Sequence, residues 1–219
     1  MVKKHTSFLV LMIAFSAFSA TGHAQDLDTV INNVYKATNT SNLKTLRYIA
    51  SGSSYSAGKN IAFVKTYVRD LDINTPASRT QITREEGTPP AESSEMQNID
   101  SSSPWARQFE LWSNPWVFLK AAAANKATVS TQTIFAEKFT VLTLTVQNKF
   151  KVSAFVNAQN MIEKIQTWID PNETLVETVY RDYQDFGGMK FPTMIVEKQA
   201  SELALILIVT NVKPNAALN

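Results

Sequence analysis

Leu27, Val30, Ile31, Val34 and Tyr35 fall at i, i+3, i+4, i+7 and i+8, one apolar stripe of a helix over residues 26–39. The polar run Thr38-Asn-Thr-Ser-Asn42 ends it. The period then shortens to two, which predicts strands over 46–55, 61–73 and 77–86. In the second, Phe63, Lys65, Tyr67 and Arg69 alternate with Ala62, Val64, Thr66 and Val68. Short turns between the three suggest an antiparallel meander. Residues 87–103 show no period and hold Gly87, Pro89, Pro90 and five serines, so they read as a flexible surface loop. Ser103-Pro104 is a helix start signal, because a proline at the first helical position loses no needed N–H. Trp105, Phe109 and Trp112 mark the buried side of that helix. Asn114-Pro115 repeats the signal and opens a second helix over residues 115–124, with Trp116, Leu119 and Ala123 on its apolar face.

The remainder predicts strands only, over 128–133, 139–147, 150–157, 161–170, 175–186, 189–199 and 204–213. Asn148-Lys149, Pro171-Asn172 and Gly187-Gly188 are the turns, the last being the strongest hairpin signal. The strands at 139–146 and 203–209 are apolar on both faces, and a strand buried on both sides needs a layer on each. The helices supply one layer. A closing sheet, a ligand or a partner protein would supply the other. The fold class is α+β: an antiparallel sheet with an N-terminal helix and a central helical pair, in one domain over residues 25–219.

The first 24 residues stand apart. Lys3 and Lys4 precede an apolar run over residues 7–20, and Gly22-His23-Ala24 places small residues where a signal peptidase cuts. Cleavage after Ala24 predicts a periplasmic or secreted protein with no stable membrane anchor. The leader holds two lysines and no acid, so its loss takes the net charge from +2 to zero. A neutral chain with no basic block is not expected to bind nucleic acid. Both histidines of the sequence, His5 and His23, lie in the leader, and there is no cysteine. The rest of the chain therefore has no imidazole or thiolate for an ordinary zinc or copper centre, and no base for a Ser-His or Cys-His relay. No metal or cofactor is expected.

Other candidate chemistry is thin. Ser41-Asn-Leu-Lys44 and Ser56-Ala-Gly-Lys59 match S-x-x-K but sit in polar turns, without the K-T-G partner motif. The run from Gly52 to Gly58-Lys59-Asn60 is one residue too long for a phosphate loop and lacks its Ser/Thr. The acid pairs Asp70/Asp72, Glu85/Glu86, Glu92/Glu95 and Asp182/Asp185 read as solvated surface. The aromatic residues carry more. Trp105, Phe109, Trp112, Trp116 and Trp168, with Leu119, fit either an ordinary core or the lining of an apolar cavity under the helices.

Four segments carry a resemblance. Leu111-Trp-Ser-Asn-Pro-Trp-Val-Phe-Leu-Lys-Ala-Ala-Ala123 resembles a W-x-x-P-x-x-F-L-K-A-A helix. Asn157-Ala-Gln-Asn-Met-Ile-Glu-Lys-Ile-Gln-Thr-Trp-Ile169, Asp185-Phe-Gly-Gly-Met-Lys-Phe-Pro192 and Val209-Thr-Asn-Val-Lys-Pro-Asn215 are similar to strand motifs of the same domain. That domain is the N-terminal accessory region of exported metallo-β-lactamase-fold hydrolases. The resemblance implies a lipoprotein-carrier-like half-barrel, a curved antiparallel sheet with helices on its concave side. The family's H-x-H-x-D-H metal ligands are missing from this sequence, so no metal residue carries over. The stretch from Pro90 to Arg107 is shorter than in the family, which implies a missing strand or hairpin and an open sheet edge.

The expected function is that of an exported, non-catalytic binding domain. It would hold an apolar small molecule or lipid, or dock a partner protein, on the concave face or edge of the sheet, with Trp105, Phe109, Trp112, Trp116, Leu119 and Trp168 as candidate contacts. The alternative is an accessory subunit or truncated relic of a hydrolase whose catalytic domain lies elsewhere.

Overall fold

The structure, a computed structural model, describes residues 26–55, 61–84, 95–170 and 174–218. The leader, the Ser56–Lys59 motif, the Glu85/Glu86 pair and the Pro171-Asn172 turn lie outside them. The described chain runs α1 (Leu27–Thr38), β1 (Thr45–Tyr55), β2 (Ile61–Asp72), β3 (Ala77–Arg84), β4 (Glu95–Asp100), α2 (Trp105–Trp112) and α3 (Pro115–Ala124). It continues with β5 (Thr128–Ile134), β6 (Glu137–Val146), β7 (Phe150–Val156), β8 (Ile162–Trp168), β9 (Leu175–Phe186), β10 (Met189–Gln199) and β11 (Glu202–Pro214).

All these strands join one open, curved antiparallel sheet in the order β4-β3-β2-β1-β11-β10-β9-β8-β7-β6-β5. Two meanders, β1 to β4 and β5 to β11, meet at the β1–β11 pair, where Leu46 faces Pro214 and Ser54 faces Leu205. Gly52 lies inside this seam. A Cβ there would come within 1.9 Å of the Ile206 carbonyl oxygen, so only glycine lets the two backbones approach. The free edges are β4 and β5. The helices α2 and α3 connect them, so this pair crosses one face of the sheet from edge to edge.

The face beneath the helices, the inner face, is the core. Val30, Ile31 and Val34 of α1 pack there with Phe109, Trp112, Trp116, Phe118 and Leu119, over Leu46, Leu142, Ile165, Phe191 and Leu207. Residue Asn39 ends α1 in the left-handed region (φ 55°), and its amide donates to the Gly188 carbonyl oxygen at 2.7 Å. That bond ties α1 to the β9–β10 turn, whose Gly187 and Gly188 both have positive φ, as the Gly-Gly signal predicts.

Four expectations are corrected. The loop expected over 87–103 contains strand β4, paired with β3 from Ala77↔Asp100 to Ile82↔Glu95. Its one buried large apolar side chain, Ile99, is too little to make a visible period, and backbone pairing to β3 does the rest. Second, Ser103 does not cap α2. Its hydroxyl is within 3.1 Å of the Asp100 N–H and 3.3 Å of that residue's carboxylate, and Pro104 precedes the helix. Third, the corner residues of the β6–β7 turn are Gln147 and Asn148, both at positive φ, one position earlier than Asn148-Lys149. Fourth, among the described residues no closing sheet covers the outer face of the two strands apolar on both faces. Helices cover their inner face. On the outer face Phe139 and Val141 are shielded by Phe155 and Ile134, while Ile208 is 43% exposed and no described element covers it.

The fit at Gly52 is testable. Gly52→Ala must push β1 and β11 apart, at a cost of about 1–3 kcal/mol. Its urea unfolding midpoint should fall well below that of the parent protein. An unchanged midpoint would show that the seam is looser than the geometry requires.

Candidate functional site

A bulge brings the site together. Along β2, Ala62 and Val64 face inward, and so do Tyr67, Arg69 and Leu71. The pairing register shifts on both sides of Lys65, between Ala50 and Gly52 of β1 and between Val64 and Thr66 of β2. The extra residue reverses the facing of everything after it. Simple alternation puts Phe63 and Arg69 on one side. In the structure Phe63 is 49% exposed on the outer face and Arg69 is 8% exposed on the inner one.

Arg69 lies beneath the junction of α2 and α3. Its Nη1 donates to Tyr67 Oη at 3.3 Å, and its Nη2 donates to Ser78 Oγ at 3.4 Å and the Glu110 carbonyl oxygen at 3.2 Å. Its Nη2 also stands 3.5 Å from Glu110 Oε2. The Glu110 carbonyl belongs to the last turn of α2, where carbonyls lack helical partners and the helix end is negative. Tyr180 of β9 donates its hydroxyl to the Ser113 carbonyl oxygen beside it. Next, Asn114 caps α3, accepting from the N–H groups of Trp116 and Val117 at 3.1 and 3.3 Å. The helix pair is thus fixed to the sheet by polar bonds at its bend.

Around these bonds lies a small cavity of about 30 Å³. Tyr48, Arg69, Glu110, Ser113, Thr178 and Glu197 give it a polar wall, and Trp116, Phe191 and Leu207 give it an apolar one. Arg69 Nε, Ser113 Oγ and Thr178 Oγ1 are all buried and have no hydrogen-bond partner. Each such group costs about 1–3 kcal/mol unless water or a ligand satisfies it. Larger hollows exist on the sheet, such as one of about 350 Å³ beside Phe135 and Phe139. That one is open, and charged Lys164 and Glu177, 3.1 Å apart, form part of its wall.

Burial sets the ionisation of the site. It pushes the Tyr48 and Tyr180 hydroxyls well above their ordinary range, so both remain hydrogen-bond donors. Burial also pushes the Glu197 carboxyl up to about 7. The Gln199 amide, 2.9 Å away, opposes this, while the Glu110 charge adds to it.

Five of the six aromatic and aliphatic candidates are core residues. Trp105, Phe109, Trp112, Trp116 and Leu119 are buried, and Trp168 is half-buried. Trp105 stacks on Phe150 with ring centroids 3.9 Å apart and donates to the Trp168 carbonyl oxygen. Trp116 stacks on Phe191 at 4.9 Å and is the one of the six that borders the cavity. Three of the paired acids do structural work. Asp70 accepts from Arg47 at 2.7 Å, Asp72 caps the β2–β3 turn, and Asp185 accepts from the Gly188 N–H at 2.8 Å. Among the described residues no three His, Cys, Asp or Glu side chains converge as a metal site, and no helix is long and apolar enough to cross a membrane. The sequence reading missed Arg69, Glu197, Thr178 and Ser113. The one available signal was an arginine among apolar strand residues in Tyr67-Val-Arg-Asp-Leu71.

No protein-family description matches the chain, and no curated protein matches it. Solved structures do. A LolA superfamily protein from Nitrosomonas europaea superposes with a TM-score of 0.52 at 11% identity, over 89% of this chain and 96% of that one. The fold is LolA-like. A DUF1329 family protein from Desulfovibrio piger gives the same TM-score of 0.52 at 10% identity, over 89% and 96% of the two chains. The lipoprotein-carrier-like half-barrel expected from the motifs is therefore the observed architecture.

Glu197 yields a prediction with a definite sign. Its folded pKa of about 7 lies above the ordinary 4.5, so the folded protein binds the proton more tightly than the unfolded chain does. Its contribution is fully present below about pH 4.5 and is lost as pH rises through about 7. Melting temperature should fall between pH 5 and 8, and Glu197→Gln should flatten that fall. Parallel curves for the two proteins would refute the assignment.

Proposed function

We propose that the chain is an exported, non-catalytic binding protein that takes an apolar ligand between the α2–α3 pair and the inner face of the sheet. The observation that carries this reading is the cavity at the bend of the helix pair. Three buried polar atoms without partners are expensive, and a ligand that satisfied them would recover that cost. The helix pair is a strap anchored at the two sheet edges and latched at its bend by Arg69 and Tyr180. When the latch opens, the apolar side chains of both layers become the walls of a larger site. Trp116, Phe109 and Trp112 then contact the ligand from the strap, and Phe191 and Leu207 from the sheet.

Export rests on the leader, with the mature protein beginning at Gln25. The exported protein, its start read by mass spectrometry, should bind a fluorescent fatty-acyl probe saturably and with a blue-shifted emission. It should also carry lipid through purification. Absence of both probe binding and bound lipid would remove the reading.

A second reading, docking of a partner strand, is favoured by the β5 edge. Thr128–Ile134 contains no charged residue and no proline, the usual protections of a free edge. Ile134 and Glu137 flank the two-residue turn as a bonded pair, so Val129, Thr131 and Thr133 direct their N–H groups outward. The motif resemblance makes a separately encoded metallo-hydrolase domain the partner to try. The two proteins should co-elute, and Thr131→Pro, which removes one outward donor and leaves the β5–β6 bonds intact, should weaken the complex. No co-elution, or an unaffected complex, would reject this reading.

A further inference from the structure

The strap does more than cover an apolar bed. Arg69 is a permanent cation on the sheet, and its contacts with Tyr67, Ser78 and Glu110 are long, between 3.2 and 3.5 Å. Its anionic partner, Glu110, belongs to α2, which is part of the strap. Lifting α2 takes away both the Glu110 carbonyl and the Glu110 carboxylate. It also releases the Tyr180 hydroxyl from the Ser113 carbonyl. What remains on the sheet is a guanidinium with a free Nε–H, the hydroxyls of Tyr48, Tyr67 and Tyr180, the unpartnered Thr178 hydroxyl and the Glu197 carboxyl, all bordering one cavity. All of these except the Glu197 carboxyl are donors. A neutral alkyl ligand would leave the buried cation without its Glu110 partner, facing only Glu197, which burial holds toward its neutral form, and an undercompensated buried charge is strongly disfavoured. The cavity of about 30 Å³ has room for about two waters, or for the oxygens of one carboxylate. Its apolar wall of Trp116, Phe191 and Leu207 borders the same space.

We propose that this cavity is the head-group subsite for an amphiphile with a carboxylate head, and that Glu110 occupies on Arg69 the place the ligand carboxylate takes when the strap lifts. The proposal rests on the binding reading above and names the chemistry of the ligand's polar end. Arg69, Tyr180 and Thr178 hold the two carboxylate oxygens, and the alkyl chain runs between strap and sheet. Glu197, in the same wall, is held toward its neutral form by burial and so opposes an incoming anion less than a free carboxylate would.

The test is displacement of the bound fluorescent fatty-acyl probe by palmitate and by methyl palmitate, which share a chain and differ in head charge. Palmitate should displace at concentrations about tenfold lower, the scale of a charge-assisted pair. Arg69→Gln should abolish that preference. Thr178→Val should shrink it while raising the melting temperature of the unliganded protein, since a buried unpaired hydroxyl is gone. Glu110→Gln should widen it by removing the internal competitor. Equal displacement by the two compounds in the parent protein overturns the head-group proposal and leaves apolar binding standing. Failure of the probe to bind at all overturns both. Should Arg69→Gln fail to fold, the parent's preference and the Thr178→Val result decide.

Discussion

The pairing of β1 with β11 is the constraint on which the rest depends. Each meander on its own is a modest sheet with an apolar face. Their union gives one inner face wide enough to take three helices, and it sets the positions of the edges from which the α2–α3 strap is hung. The contact joins residues about as far apart in sequence as the described chain allows, from Leu46 with Pro214 to Ser54 with Leu205. Such closure is entropically costly and slow to form, because long loops must be ordered before the contact rewards them. The carbonyl of Ile206 comes so near Gly52 that the seam tolerates no side chain. Just beyond lies the register shift that turns Arg69 inward. Seam and site are therefore one local piece of backbone geometry.

Much of the fold is legible in the sequence. The α1 stripe, the Asn114-Pro115 start of α3 and the Gly-Gly turn each express a local rule, and local rules survive in the structure. Strands β9 and β10 fall where the alternation places them. What fails is non-local or too short to have a period. Strand β4 exists because β3 offers it an edge, and Ile99 alone cannot announce that in a run of serines and acids. Ser103 has the right residue type for a cap, but the turn at Asp100 claims its hydroxyl first.

The site is less legible than the fold, for a specific reason. Its polar members are scattered over β1, β2, α2, β9 and β10, and none is bound to another by spacing. The decisive event is one extra residue near Lys65. It reverses the facing of Tyr67 and Arg69, and alternation carries no mark of such a shift. The aromatic side chains drew attention because they are large, and they are where large side chains belong, in the core. The polar groups that lack partners beneath them carry the functional argument.

The helix pair begins at one margin of the sheet and ends at the other. A segment fastened at both margins acts as the string of a bow. Its length fixes how far the margins stand apart, and so how strongly the sheet between them curves. Lifting the string at its middle cannot be a local event. It draws on the β4 and β5 ends together, so the state of the interior is mechanically legible at the rim.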